Sequence, residues 1–171
     1  MKKSASTKQL TRLAVLAALG VAVLFISSVL PSARLALTAI AGIFTAVALI
    51  MYGLGWSAAV YAVTAVLSLL ILPAKGCAIF YAAFFGLYPI AKALFEKYFH
   101  KPMVCWLMKT LFFSLVFWIW WFIPAAVGVP SGLLSHWYVL WPLGIVVFAV
   151  YDICFSFLIK IYIERISGYF P

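Results

Sequence analysis

Ionisable side chains are scarce in this sequence. Asp, Glu, Lys and Arg together make up 9% of its 171 residues, and only 3 are acidic. Histidine occurs 2 times and cysteine 3 times. Most side-chain chemistry therefore lacks its groups: there is no His/Glu zinc pattern, no glycine-rich phosphate loop and no serine–histidine–acid set. Cys77, Cys105 and Cys154 lie far apart, without metal-ligand spacing or a disulfide framework, and are expected as free thiols. His100 and His136 have no obvious partner and are expected at the membrane interfaces. No catalytic residue, cofactor or metal site is assigned, and the chain is expected to bind or move something rather than transform it.

What is abundant is apolar surface, at 68% hydrophobic residues. A soluble domain of this size has no interior large enough to hide so much of it. The net charge of +9 does not indicate nucleic acid, because the cations sit at the ends of apolar runs, as in membrane proteins. The basic segment 1–12 followed by an apolar stretch resembles a secretory signal. That stretch, 13–30, exceeds the 7–15 residues of a signal core, and further spans follow at once, so it is expected to be retained.

Six apolar runs, about 13–30, 35–52, 56–72, 77–95, 103–123 and 139–163, are each compatible with crossing a bilayer. The expected fold is all-α: a polytopic membrane protein with six transmembrane helices in one bundle, forming a single domain over 1–171. Gly53-Leu54-Gly55 separates the second and third spans, and 73–76 is a turn by its Pro and Gly content. Pro89 predicts a kink in the fourth span, and Pro142 falls in the first turn of the sixth, where proline is tolerated. Segment 124–138 carries too many breakers for a helix and reads as an outer loop.

Six spans place both termini on one side together with loops 53–55 and 96–102. That side collects Lys2, Lys3, Lys8, Arg12, Lys92, Lys97, Lys101, Lys109, Lys160 and Arg165, against Arg34 and Lys75 opposite. Ten cations against two make the termini cytoplasmic by the positive-inside rule.

Small residues recur every fourth position in three spans: Ala14, Ala18 and Ala22; Thr38, Gly42 and Ala46; Ala58 and Ala62. Such faces permit the close helix approach by which membrane helices associate. The first is either a docking surface for another protein or an internal seam.

Asp152 lies near the centre of the sixth span, where an unpaired carboxylate is costly. Gly144, Phe148, Asp152 and Ser156 share its helix face. The face reads either as a ligand-contacting strip or as the seat of an ion pair between Asp152 and Lys109, within reach by helix rise and lysine length. Arg34 and Lys75, the two outer cations, suit either an anionic substrate group or the headgroup layer. Trp118, Trp120, Trp121, Trp137, Tyr138 and Trp141 form an aromatic belt, or rings that stack on a flat ligand beneath the outer loop.

The basic N-terminus, the Ala14-Leu16-Ala17-Ala18 helix start and the six-span length resemble the substrate-binding S component of energy-coupling-factor transporters. The run 84–92, Phe-Phe-Gly-Leu-Tyr-Pro-Ile-Ala-Lys, with Glu96 following, resembles related small bacterial membrane proteins. The resemblance implies a vitamin or related micronutrient as ligand, and a coupling transmembrane subunit with an ATPase pair as partners. It also implies residence among the lipids of the bacterial cytoplasmic membrane, with Ala14 and Ala18 as the docking face. Ligand contacts would come from the outer loops and later helices: Phe148, Asp152, Ser156, Trp121 and Trp137. No signature of thiamine, riboflavin, biotin or folate binding is present. The alternative is a non-transport membrane scaffold, assembly factor or lipid-handling protein using the same small-residue faces. A self-contained ion-coupled carrier is disfavoured, since no inverted repeat or pair of broken helices is visible.

Overall fold

The structure, a computed structural model, describes residues 6–99, 101–121 and 137–165; the side chains of Pro102, Trp120, Trp121, Trp137, Tyr162, Ile163 and Arg165 fall outside that description. The described chain is all helical. Helix α1 spans Thr7–Val29, α2 Arg34–Tyr52, α3 Leu54–Ile71, α4 Lys75–Phe80, α5 Tyr88–Tyr98, α6 Pro102–Trp121 and α7 Trp137–Arg165. A single 3₁₀ turn, Pro31–Ala33, joins α1 to α2, and a π-helical segment, Tyr81–Phe85, continues α4. Five stretches are long and apolar enough to cross a membrane: Thr7–Val29, Pro31–Tyr52, Leu54–Ile71, Lys75–Tyr98 and Tyr138–Ile161. A shorter apolar stretch, Met103–Ile119, lies at the fifth expected position. Large apolar side chains such as Val15, Leu19, Val66, Leu70, Val147 and Ile153 are exposed, the surface expected where lipid replaces water as solvent. This is an all-α, multi-pass membrane protein.

The chain groups into two compact units, Met1–Ala91 and Lys92–Pro171. In the first, α1, α2 and α3 pack on one another through small residues and hydroxyls. Leu24, Ala41, Ala65, Leu72, Cys77, Ala78 and Tyr81 form one apolar cluster, and Leu13, Ala17, Ala48 and Val60 another. Hydroxyls join the elements: Ser27 Oγ lies 3.0 Å from Thr38 Oγ1, and Tyr81 OH 2.8 Å from Thr45 Oγ1. Tyr61 OH donates to the Ala82 carbonyl at 2.6 Å. With lipid outside, such bonds and close packing hold helices together where the hydrophobic effect does not. The ladder Thr38, Gly42, Ala46 is buried. A Cβ on Gly42 would stand 2.5 Å from the Phe85 carbonyl oxygen, so only glycine admits that approach.

Three helix breaks differ from the sequence reading. Only Gly53 interrupts the chain between α2 and α3. It has φ of 83°, a region glycine enters without the Cβ penalty, and Gly55 is already helical. Regular helix in the fourth span is interrupted before Pro89 rather than at it. Gly86 N–H donates to the Tyr81 carbonyl at 2.8 Å in the wide π pattern, and α5 restarts at Tyr88. Pro89 then sits in the first turn, where its missing N–H costs nothing. Gly86 is required there, because a Cβ would lie 2.7 Å from the Tyr81 ring and 2.8 Å from the Tyr61 ring. Pro142, in contrast, is not in a first turn: α7 already runs from Trp137, so the proline lies inside the helix.

Candidate functional site: a charged quartet in the second unit

Four charged side chains from α5, α6 and α7 meet in the second unit. Lys92 and Glu96 are one turn apart on α5, Lys109 is two turns into α6, and Asp152 is near the middle of α7. Lys92 Nζ pairs with Asp152 Oδ1 and lies 3.4 Å from the Asp152 carbonyl oxygen. Lys109 Nζ lies 3.3 Å from Asp152 Oδ2 and 2.8 Å from Glu96 Oε1. Glu96 Oε1 also faces Lys92 Nζ at 3.9 Å, which closes a ring of alternating sign. Ser156 Oγ donates to the Asp152 carbonyl at 2.7 Å and accepts from Lys92 Nζ. The Lys92 ammonium lies 5.7 Å from the centre of the Phe155 ring, a cation–π distance.

The arrangement answers the cost of burying charge. An isolated ion at mid-membrane costs at least about 2.5–3.5 kcal/mol. Here two ammoniums and two carboxylates sum to zero, and each carboxylate serves both lysines. The side chains of Lys92, Lys109 and Asp152 are 5%, 9% and 12% exposed, and that of Glu96 is 51% exposed. The ring is closed in charge and open to its surroundings at one member.

The pairing of Asp152 with Lys109, one of the two readings of its burial, is present. Lys92 is the nearer partner, and here the structure corrects the sequence reading: it is not a helix-end cation but, among the described residues, one of the most buried charges. Its signal was the four-residue spacing to Glu96, which puts both on one helix face. With Lys92 and Lys109 committed to the ring, the side counted for the positive-inside rule keeps eight cations against two.

The strip of α7 residues divides. Asp152 and Ser156 belong to the ring. Phe148 is buried and stacks on Phe113 of α6, with centroids 5.0 Å apart and planes at 15°. A Cβ on Gly144 would meet the same Phe113 ring at 2.9 Å. Upstream of the charges this face is therefore helix–helix packing, not an open ligand-contacting surface.

The other expected site residues lie in the first unit or beyond the description. Arg34 is exposed at the start of α2. Lys75 is exposed too, but its Nζ donates to the carbonyls of Leu69 at 2.7 Å and Leu70 at 3.3 Å. That closes the C-terminal turn of α3 with a cation, where carbonyls and helix dipole favour one. Ala14, Ala18 and Ala22 are exposed on α1, while Leu13, Ala17, Gly20 and Leu24 form its buried side. The alanines therefore lie off the seam that α1 forms with α2 and α3 in the first unit. The rings of Trp121 and Trp137, both histidines and segment 122–136 lie outside the described residues. Cys77, Cys105 and Cys154 are free thiols. Among the described residues no three His, Cys, Asp or Glu side chains gather as metal ligands.

Compared with protein-family models, with curated proteins and with solved structures, the chain matches none.

Proposed function

We propose that this membrane protein is the substrate-binding subunit of an energy-coupling-factor importer for a vitamin or related micronutrient. In this reading it sits in the bacterial cytoplasmic membrane with both termini inside and docks on a coupling transmembrane subunit served by an ATPase pair. The observation that supports it most directly is the division of α1 into two faces. Leu13, Ala17, Gly20 and Leu24 pack inward, and Ala14, Ala18 and Ala22 remain outward at four-residue spacing. An outward alanine stripe, flanked by the exposed Val15 and Leu19, gives a second protein's helix a line of close approach. In this reading the ligand enters from the outer side, the side of Arg34 and Lys75, with Lys75 itself engaged in capping α3. There Cys77 Sγ approaches the Ser27 carbonyl at 3.7 Å, which brings the two short connections together.

A second reading, a membrane scaffold or assembly protein, is favoured by the filled seam between Phe113, Gly144 and Phe148. Co-purification of the tagged protein from its native membrane separates the two. A coupling subunit with ATPases and a bound small molecule supports the importer. Stable partners of another kind support the scaffold. The Ala18→Leu protein should fold alone yet lose the coupling subunit, and retention of a normal complex by that variant would sink the docking assignment.

A further inference from the structure

The four charges of the quartet are not equivalent. Asp152 holds one oxygen against each lysine and is almost fully enclosed. Glu96 touches both lysines through one oxygen, Oε1, and half of its side chain is exposed. Its contact with Lys92, at 3.9 Å, is the loosest of the four. Without Glu96 the remaining ring carries one net positive charge, shared by two ammoniums facing one place. Simple tethering of helices does not call for such a group, because apolar side chains of similar volume do that equally well or better than buried ion pairs.

We propose that Lys92 and Lys109 form a cradle for a singly charged oxyanion, a carboxylate or a phosphodiester. Glu96 is the cradle's built-in occupant, which an incoming anion displaces. Asp152 and Ser156 form the fixed base: Asp152 holds both ammoniums in place, and the Ser156 hydroxyl accepts from Lys92. A monoanion replaces Glu96 without changing the charge of the ring, so the exchange leaves no uncompensated ion in the membrane. A dianion or a cation has no such match. Access is from the exposed flank of Glu96. The anion reaches it either from solution, as a small carboxylate, or from the lipid headgroup layer, as a phosphodiester. The cradle is independent of the importer assignment.

The test uses the full chain in phosphatidylcholine nanodiscs, with the thermal unfolding midpoint as readout. Sodium acetate is titrated against sodium chloride at equal ionic strength, and in a second arm phosphatidylglycerol replaces part of the phosphatidylcholine. Glu96→Gln empties the cradle, so its midpoint should fall and then recover saturably with acetate, with phosphatidylglycerol, or with both. Recovery with acetate alone identifies a soluble carboxylate, and with phosphatidylglycerol alone a headgroup. The wild type should need about tenfold more of the same probe, because Glu96 competes with a charged hydrogen bond of its own. Glu96→Gln combined with Lys109→Met should not respond. Should Glu96→Gln not yield folded protein, Glu96→Asp, whose shorter side chain competes more weakly for the lysines, is titrated in its place and should respond at a lower probe concentration than the wild type. Indifference of the folded single variant to both probes, or an equal response in the double variant, overturns the cradle.

Discussion

Lys92 Nζ and Asp152 Oδ1 are paired across 60 residues of sequence, from the second turn of α5 to the middle of α7. The pair ties the last helix of the described chain to a helix that begins before α6. Its consequences for stability are unequal for single and paired substitutions.

Asp152→Asn removes the charge while nearly preserving shape, and leaves two buried ammoniums against a half-exposed carboxylate. Breaking one partner of a buried ion pair typically costs about 3–5 kcal/mol. A fall of that order is expected in unfolding experiments on purified protein. Lys92→Met added to Asp152→Asn should restore most of the loss, because Lys109 keeps Glu96 at 2.8 Å. Lys109→Met should restore less, since Lys92 then has only the 3.9 Å contact to Glu96. Equal rescue by both would mean the two lysines share Asp152 evenly.

Gly42→Ala places a methyl group 2.5 Å from the Phe85 carbonyl, and backbone has no rotamer by which to yield. Overpacking of this kind costs about 1–3 kcal/mol. Gly55→Ala, where nothing lies within 4 Å of the added carbon, should be neutral or slightly stabilising. Thermal unfolding of the two variants side by side checks the contrast.

Lys75→Met leaves the last carbonyls of α3 without their cation. The side chain is exposed, so the loss should stay near or below about 1 kcal/mol. Any ligand later found for the protein should bind this variant normally if capping is the whole role of Lys75. A large loss of affinity with stability intact would instead return Lys75 to the binding site.

Under the proposed orientation, a cysteine replacing Lys75 should react with an impermeant thiol reagent added to intact cells. One replacing Lys97 should react only after the membrane is opened. The background is a chain in which Cys77, Cys105 and Cys154 are changed to serine or alanine. Outside labelling at position 97 reverses the topology.

The membrane-spanning stretches were legible because a run of about 18 apolar residues has few other uses. Their interruptions were less so. Proline advertises a bend, yet at Pro89 the break is set by Gly86, pressed between the Tyr61 and Tyr81 rings, a constraint that exists only after packing. Helical spacing correctly grouped Gly144, Phe148, Asp152 and Ser156 on a face, but spacing does not say what covers a face. Phe113 covers part of it. Lys92 escaped notice for a related reason. A lysine near the end of an apolar run is ordinarily a snorkelling cation, and only the approach of α7 makes it an interior one.

The order in which the quartet's members leave the ribosome gives the ring a bearing on how the protein is made. Lys92, Glu96 and Lys109 emerge first, and Asp152 follows Lys109 by 43 residues. Until then α5 and α6 hold two positive groups and one negative, so the ring cannot reach neutrality before α7 has been made. A chain stopped before Asp152 therefore keeps one lysine charge unbalanced, and the ring closes only in the finished molecule.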